Sequence, residues 1–369
     1  MTYDIVIAGG SLSGLSAAVH SAGKGARVLL VECKPDVAEF RCAEGVLGEQ
    51  MENAGFPPAR EHVSCELGAF RLRSPGGLAL DVGIRYKKMV MLDRGRFQTH
   101  LLGRARDAGC EVRTSVRARR LDLEKGTLEL SAGGTVSGRV FMDATGTGAF
   151  LGRQHGVARL SPDEMSVVAQ WKMEAHGPEE DRFQLLFGSP YHSPAGYAWI
   201  FPKGDGVFNI GVGGVASHVL RAGRPGELLE RFIRENVPGA GRRLRYVASF
   251  LPSAPPLDRP VIRSTDGSRW LMMTGDAARL CTATVSAGIA NALMSGRWAG
   301  EHWTEPEKYE EALRARLYPN LLRGFEFKAA HLSDGAMDRV FRRRLRPMVW
   351  LHRLVPGYIE QKTLDLLGW

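Results

Sequence analysis

Cysteine is sparse in this chain, and what there is does not pair. The five residues, Cys33, Cys42, Cys65, Cys110 and Cys281, show no metal-ligand spacing, and an odd count argues against a disulfide framework. A reducing compartment is therefore expected. Long hydrophobic runs are also missing: the longest uncharged stretch, Leu280 to Gly296, is rich in Thr, Ser, Ala and Gly and reads poorly as a membrane span. Met1 leads almost directly into an apolar run, so no signal peptide is expected and the location is read as cytoplasmic. No internal repeat and no low-complexity segment breaks the sequence. Acidic residues are the minority, 40 against 49 basic, giving a net charge of +9. That excess is mostly dispersed and no nucleic-acid motif accompanies it, which argues against a nucleic-acid partner.

The C-terminal region is the exception to the dispersal. Arg339, Arg342, Arg343, Arg344, Arg346 and Arg353 interleave with Phe341, Leu345, Met348, Val349, Trp350, Leu351 and Leu354. Such a mixture suits either an anionic membrane surface, which would make the protein peripheral at the membrane, or a docked helix with a solvated arginine face. A basic surface would equally attract an acidic electron-transfer protein.

The strongest positive signal lies between Asp4 and Glu32. Asp4-Ile-Val-Ile-Ala is an apolar run suited to a buried parallel strand. Gly9-Gly10-Ser11-Leu12-Ser13-Gly14 follows, then a helical stretch, then Arg27-Val-Leu-Leu-Val-Glu32. Strand, glycine turn, helix, strand and terminal acid at this spacing form a dinucleotide-binding βαβ unit. Gly9 permits the tight turn, Gly14 lets the helix approach the sheet, and the free amides at the helix start suit a pyrophosphate. Glu32 would accept from adenosine ribose hydroxyls, which favours FAD or NAD over a 2′-phosphorylated dinucleotide. Ser11 departs from the pattern, standing where a second glycine usually lets backbone meet phosphate.

Further along, Phe40 to Gly45 reads as a loop and Gly48 to Ala54 as a helix. Leu67 to Ile84 alternates around Pro75-Gly76-Gly77 like a hairpin. Met89 to Leu92 is a short strand before a helix reaching about Ala108, and Glu111 to Met142 suits a β-meander. Val167 to Phe250 is mostly strand, with a helix over Gly226 to Asn236. Trp270 to Met273 returns to buried strand, Ser286 to Trp303 reads as helix, and the chain beyond Glu305 is predominantly helical. With 369 residues, two interleaved domains are expected. The fold class is α/β, α+β overall. A Rossmann-like, discontinuous cofactor domain (1–66, 85–160 and 262–303) would carry an inserted β-rich substrate domain (67–84 and 161–261) and a helical C-terminal region (304–369).

With Arg94, Asp143-Ala144-Thr145-Gly146 and Gly275-Asp276 following the N-terminal fingerprint in that order, the chain resembles the FAD-dependent group that contains aromatic hydroxylases and geranylgeranyl reductases. Arg41-Cys42-Ala43-Glu44-Gly45 is similar to the C-x-E-G segment of geranylgeranyl reductases. Gly196-Tyr197-Ala198-Trp199-Ile200-Phe201-Pro202-Lys203-Gly204 is similar to their Y-x-W-x-F-P motif. The resemblance covers most of residues 1–300. It implies an FAD enzyme that delivers hydride from reduced flavin to isolated double bonds of a polyprenyl lipid or diphosphate.

That resemblance assigns expected roles. Gly9, Ser11, Ser13, Gly14, Glu32, Arg41, Cys42, Arg94, Gly275, Asp276, Gly288 and Ile289 would hold FAD. Cys42 and Glu44 would stand at the chemistry, with no metal involved. Tyr197, Trp199 and Phe201 share one strand face by their period-two spacing and would hold the hydrocarbon, although the same alternation also describes an ordinary core strand. The plainer alternatives are Cys42 as a packed thiol, Glu44 as a solvent-facing acid, Arg94 as a surface arginine at a helix start and Asp276 as a helix cap. After Asp276 the chain departs from the family pattern, with Arg279, Thr282-Ala283 and Ser286 where Gly, Asn-Pro and Gly are usual. With one fingerprint only, NAD(P)H and ferredoxin both stay open as electron donor. Two other functions stay open as well: an FAD-dependent monooxygenase, hydroxylase or halogenase-like enzyme on a hydrophobic substrate, and a non-catalytic lipid-binding flavoprotein.

Overall fold

A computed structural model describes residues 2–84, 87–188, 196–351 and 360–362. Arg353 and Leu354 of the basic tail lie outside these residues.

Apolar runs that are buried on both faces build the central sheet. Thr2–Ala8 pairs in parallel with Val28–Val31 on one side and Thr135–Asp143 on the other. Glu111–Arg113 and Trp270–Met273 extend the parallel order outward, and Val261–Arg263 closes one edge antiparallel. Val28–Val31 and Trp270–Met273 are buried at every position, as strands covered on both faces must be. The expected meander is present: Ala118–Asp122, Thr127–Leu130 and the start of Thr135–Asp143 pair antiparallel in succession.

The helix Leu12–Ala22 is buried at every residue except His20, because the sheet lies on one side and the helix Ile289–Glu301 on the other. Small residues permit that crossing. A Cβ on Gly296 would stand 2.2 Å from the Ser13 carbonyl oxygen, and one on Gly300 would stand 2.6 Å from that of Ala17. Two glycines four apart on one helix face therefore set the distance between the two helices whose N-termini face the candidate site.

The second sheet is built from the alternating segments. Its order is Gly239–Pro252, Met165–His176, Val207–Val215, Tyr197–Gly204, Arg182–Phe187, Ala69–Arg73, Ala79–Gly83, and every pairing is antiparallel except Arg182–Phe187 with Ala69–Arg73. The expected hairpin between Leu67 and Ile84 thus becomes one edge of this sheet. Along Tyr197–Gly204 the even positions Ala198 and Ile200 join a core with Leu229, Phe232 and Ile233 of the helix Pro225–Asn236. The odd positions Tyr197, Trp199 and Phe201 join the opposite cluster. Gly45–Leu47, Met89–Leu92 and Val63–Leu67 form a third, three-stranded antiparallel sheet.

The C-terminal region is helical as expected: Pro306–Arg316, Tyr318–Ala330 and Asp334–Val340, with a π-turn over Phe341–Leu345 running into Arg346–Leu351. Phe341 and Leu345 are buried in the cluster that also holds Trp199 and Phe201, while Arg342, Arg343 and Arg344 are exposed. No helix among the described residues is long and apolar enough to cross a membrane.

Candidate active site

The C-terminal ends of the parallel strands open on a cavity of about 520 Å³, within the range of small-molecule and cofactor sites. Its wall draws on both large sheets. Gly9, Gly10, Ser11, Leu12 and Ser13 form one end, and Tyr197, Trp199 and Phe201 belong to the wall supplied by the second sheet.

At the nucleotide end the geometry follows from the glycine turn. Gly9 has φ +110°, and a Cβ there would meet the Ala144 carbonyl oxygen at 2.3 Å. Gly14 is tighter still, since a Cβ would lie 1.9 Å from the Gly9 carbonyl oxygen. Glu32, 8% exposed at the end of its strand, accepts from the Gly10 amide at 2.6 Å through Oε2 and from the Lys34 amide at 2.9 Å through Oε1. The helix that begins at Leu12 has no side-chain cap and no acid in its first turn, so its N-terminal amides face the cavity without a competing protein anion. Ser11 adopts φ −89°, a conformation open to any residue, and its Oγ accepts from Arg94 Nη2 at 3.3 Å. Serine is therefore accommodated at this position without backbone strain.

Arg94 is 7% exposed, not a surface residue. Its guanidinium donates to Gln98 Oε1 as well as Ser11 and stacks over Phe40 at 5.4 Å. Asp276 also lines the cavity. Burial raises its carboxyl to about 6 while the nearby Arg94 charge pulls it down. The helix Ile289–Glu301 points its N-terminus here through Gly288 and Ile289, again with no acid in the first turn. Between Asp276 and that helix runs an irregular segment in which Arg279 and Ser286 both have positive φ, 59° and 54°.

At the other end, Tyr197, Trp199 and Phe201 form a continuous aromatic row, with ring centroids 5.7 and 6.2 Å apart. The Tyr197 hydroxyl donates to the Val285 carbonyl at 2.5 Å, and Trp199 Nε1 donates to Asn209 Oδ1 at 2.8 Å, so neither ring turns freely. Burial pushes the Tyr197 phenol well above its ordinary value, keeping it a neutral donor.

The loop before Gly45 crosses between these ends and carries Cys42 and Glu44. Gln170 Nε2 donates to the Cys42 carbonyl at 2.6 Å, and Arg245 donates to the Phe40 carbonyl at 3.0 Å while lying 4.7 Å over its ring. Glu44 has φ +73° and is 4% exposed, which excludes the solvent-facing reading. Its carboxylate is already committed: Oε2 lies 2.9 Å from the Lys203 ammonium and Oε1 accepts the Arg94 amide at 3.1 Å. Both carboxylate oxygens thus tie this loop to Lys203 and to the start of the helix that bears Arg94.

Of the expected site residues, Gly9, Ser11, Ser13, Glu32, Arg41, Cys42, Glu44, Arg94, Asp276, Gly288, Ile289, Tyr197, Trp199 and Phe201 all line the one cavity. Gly14 and Gly275 are not on its surface. Gly14 sits against Gly9, and Gly275, at φ +58°, donates its amide to Ser295 Oγ at 3.0 Å and packs against Ser13. Both shape the wall from behind. The carboxylate of Asp143 also turns inward, accepting the amides of Thr145, Leu151 and Gly152, so it anchors the helix Phe150–Gln154.

Sequence reasoning missed Gln170, Asn209, Lys203 and Cys281. Asn209 and Lys203 are polar residues within largely apolar strands, a signal that each side chain has a buried partner; Gln170 lies in a strand that also carries Ser166, Lys172 and Glu174 and gives no such signal. Cys281 lies in the divergent segment after Asp276, where burial raises its thiol well above the ordinary value.

The residues present fit FAD. Glu32 and the amides of the glycine turn would hold the adenosine ribose and pyrophosphate, and Asp276 with the amides at the start of the Ile289–Glu301 helix would hold the flavin portion. The protein leaves room for a large group between these points.

The geranylgeranyl reductase catalytic domain family matches residues 164–250, which hold the aromatic row. A digeranylgeranylglycerophospholipid reductase of Methanosphaerula palustris is 32% identical over 326 residues, spanning 85% of this chain and 79% of that protein. A second, from Methanopyrus kandleri, is 32% identical over 319 residues, covering 82% and 76%. Among solved structures, a geranylgeranyl bacteriochlorophyll reductase-like protein from Thermoplasma acidophilum superposes with TM-score 0.81 at 26% identity, covering 92% of this chain and 90% of that one. A flavin-dependent brominase superposes with TM-score 0.67 at 17% identity over 100% and 94%, which speaks to the fold alone.

Proposed function

This chain belongs to the geranylgeranyl reductase family, and from that premise we propose that it is an FAD-dependent enzyme saturating carbon–carbon double bonds in the geranylgeranyl chains of a glycerophospholipid. The observation that carries the reading is the shared cavity: the dinucleotide turn with Glu32 and the aromatic row with Cys42 are walls of one space.

FAD, when bound and reduced, supplies the hydride. The protein's part follows from the nature of the substrate. An isolated alkene has no carbonyl to polarise, so the rate must come from holding the double bond at the right distance and keeping water away. Tyr197, Trp199 and Phe201 provide a locked apolar face along which a prenyl chain can lie. Cys42, on the loop that crosses the cavity, would position the alkene or relay the proton that the second carbon needs. Asp276 and Arg94 would hold the polar middle of the cofactor. The immediate electron donor is NAD(P)H or a ferredoxin-like carrier, for which the basic surface is suited.

The test is anaerobic turnover. Protein reconstituted with FAD and reduced by dithionite is offered digeranylgeranylglyceryl lipids and geranylgeranyl diphosphate, and products are weighed by mass spectrometry. Gains in steps of two hydrogens on the lipid are expected. FAD that binds and is reduced while no prenyl compound gains hydrogen would overturn the reading.

A further inference from the structure

We propose that Lys203 is a positioning residue: through a buried ion pair with Glu44 it fixes the loop that carries Cys42 to the substrate-binding sheet, and so sets where the Cys42 thiol stands in the cavity.

The two charged side chains are almost fully buried, with 2% of Lys203 and 4% of Glu44 exposed. Burying two charges is costly, and a pair of apolar side chains would stabilise the fold as well or better. The arrangement is thus better explained by what it holds in place. Lys203 Nζ binds Glu44 Oε2 and also donates to the Leu92 carbonyl, while the Leu92 amide donates to the Glu44 carbonyl at 2.9 Å. The other carboxylate oxygen takes the amide of Arg94. Three segments meet at one carboxylate: the loop of Cys42, the strand of the aromatic row, and the start of the helix bearing Arg94.

The consequence for Cys42 is direct. At φ +73°, Glu44 occupies a region that L side chains rarely adopt, and in that conformation its amide points at Cys42 Sγ, 3.2 Å away. Gln170, from the same sheet as Lys203, takes the Cys42 carbonyl. Without the pull of Lys203 on its carboxylate, Glu44 has less to hold it in the left-handed region, and its return to an ordinary φ would swing its amide off the sulfur.

The effect on turnover rests on the prenyl-reductase reading, but the placement of Cys42 does not, and the experiment separates them. Apo and FAD-loaded Lys203→Met, Lys203→Arg and Glu44→Gln/Lys203→Met proteins are compared with wild type by site-resolved iodoacetamide labelling of Cys42, read by peptide mass spectrometry, together with kcat and KM for the lipid. Labelling in Lys203→Met should accelerate about tenfold as the loop opens locally. Its kcat should fall about 10- to 100-fold with KM changed by no more than about twofold. The double variant, which leaves no unpaired buried charge, should regain thermal stability while keeping the fast labelling and low kcat, and Lys203→Arg should recover part of both. If Lys203→Met fails to fold, the double and arginine variants carry the same comparison. Wild-type labelling and kcat in the double variant would overturn the proposal. A wild type that reduces no prenyl lipid while labelling responds as expected would remove the functional reading and leave the clamp standing.

Discussion

The indole of Trp199 fills the space above Gly211 on the neighbouring strand: a Cβ on that glycine would begin 2.1 Å from ring atom Cζ2. Asn209, two residues earlier on the same strand, holds the ring by its Nε1 hydrogen. Gly211→Val should therefore rotate Trp199 out of the aromatic row, at a cost of about 1–3 kcal/mol in stability from overpacking. Lipid turnover should fall while FAD affinity stays near wild type, because Gly211 is on the substrate sheet. Equal losses of FAD binding and turnover, measured by flavin titration and by product mass, would show that the row does not act separately from the cofactor end.

Much of this arrangement was legible in the sequence because its causes are local. A glycine turn followed by a helix and a strand ending in Glu32 can hardly fold otherwise, and the period-two spacing of Tyr197, Trp199 and Phe201 places them together in any strand. What could not be read were the contacts made across the fold. Nothing near Lys203 in sequence announces Glu44, 159 positions earlier, and nothing near Gln170 announces the carbonyl of Cys42. The sequence leaves a surface position open for Arg94 beside its expected cofactor role, since its burial depends on Phe40 and Gln98 closing over it. Gly14 packs the helix against the glycine turn, as its place in the motif leads one to expect, while the position of Gly275 behind the wall depends on Ser13 and Ser295 from distant segments.

The cofactor end yields a contrast between two neighbours. Glu32→Ala removes the anion that takes the Gly10 amide and would meet the ribose, so FAD affinity should drop on the order of 10- to 100-fold, the worth of a hydrogen bond to a charged group. Ser11→Gly supplies the motif's second glycine but changes little, because Ser11 already has an unstrained φ; an effect below about threefold is expected. Quenching of flavin fluorescence on titration measures both. A large gain in affinity from Ser11→Gly would mean that the serine does crowd the phosphates.

Lys328 offers a pH test. It is 7% exposed, donates to Ser253 Oγ, and burial lowers its ammonium to about 8, partly offset by Cys281. In the unfolded chain the same group titrates near 10.5. Below pH 8 both states are charged and the folded state carries the full cost of burying the charge. Between about 8 and 10.5 only the unfolded state keeps the proton, so that cost fades as pH rises. Lys328→Met should accordingly be more stable than wild type by roughly 3 kcal/mol at neutral pH, with the advantage shrinking toward pH 10. Urea melts across that range decide it, and a difference that does not vary with pH would count against a charged buried lysine.

The basic C-terminal segment separates two ways of using apolar side chains. Phe341 and Leu345 are already spent inside the protein, in the cluster beside the aromatic row, leaving Arg342, Arg343 and Arg344 with the 65% exposed Trp350 to meet any bilayer. Attachment to an anionic surface would then be mainly electrostatic, on the order of 1 kcal/mol per arginine, and sensitive to salt. In co-sedimentation with phosphatidylserine vesicles, wild type should bind at low salt and release at high salt, and Arg342→Glu/Arg343→Glu/Arg344→Glu should not bind at either. Phe341→Ala should instead lower stability by about 3–5 kcal/mol, the cost of emptying a core aromatic site, with vesicle binding of the remaining folded protein unchanged. If the triple variant and wild type partition equally and salt has no effect, the arginines are simply the solvated face of a docked helix.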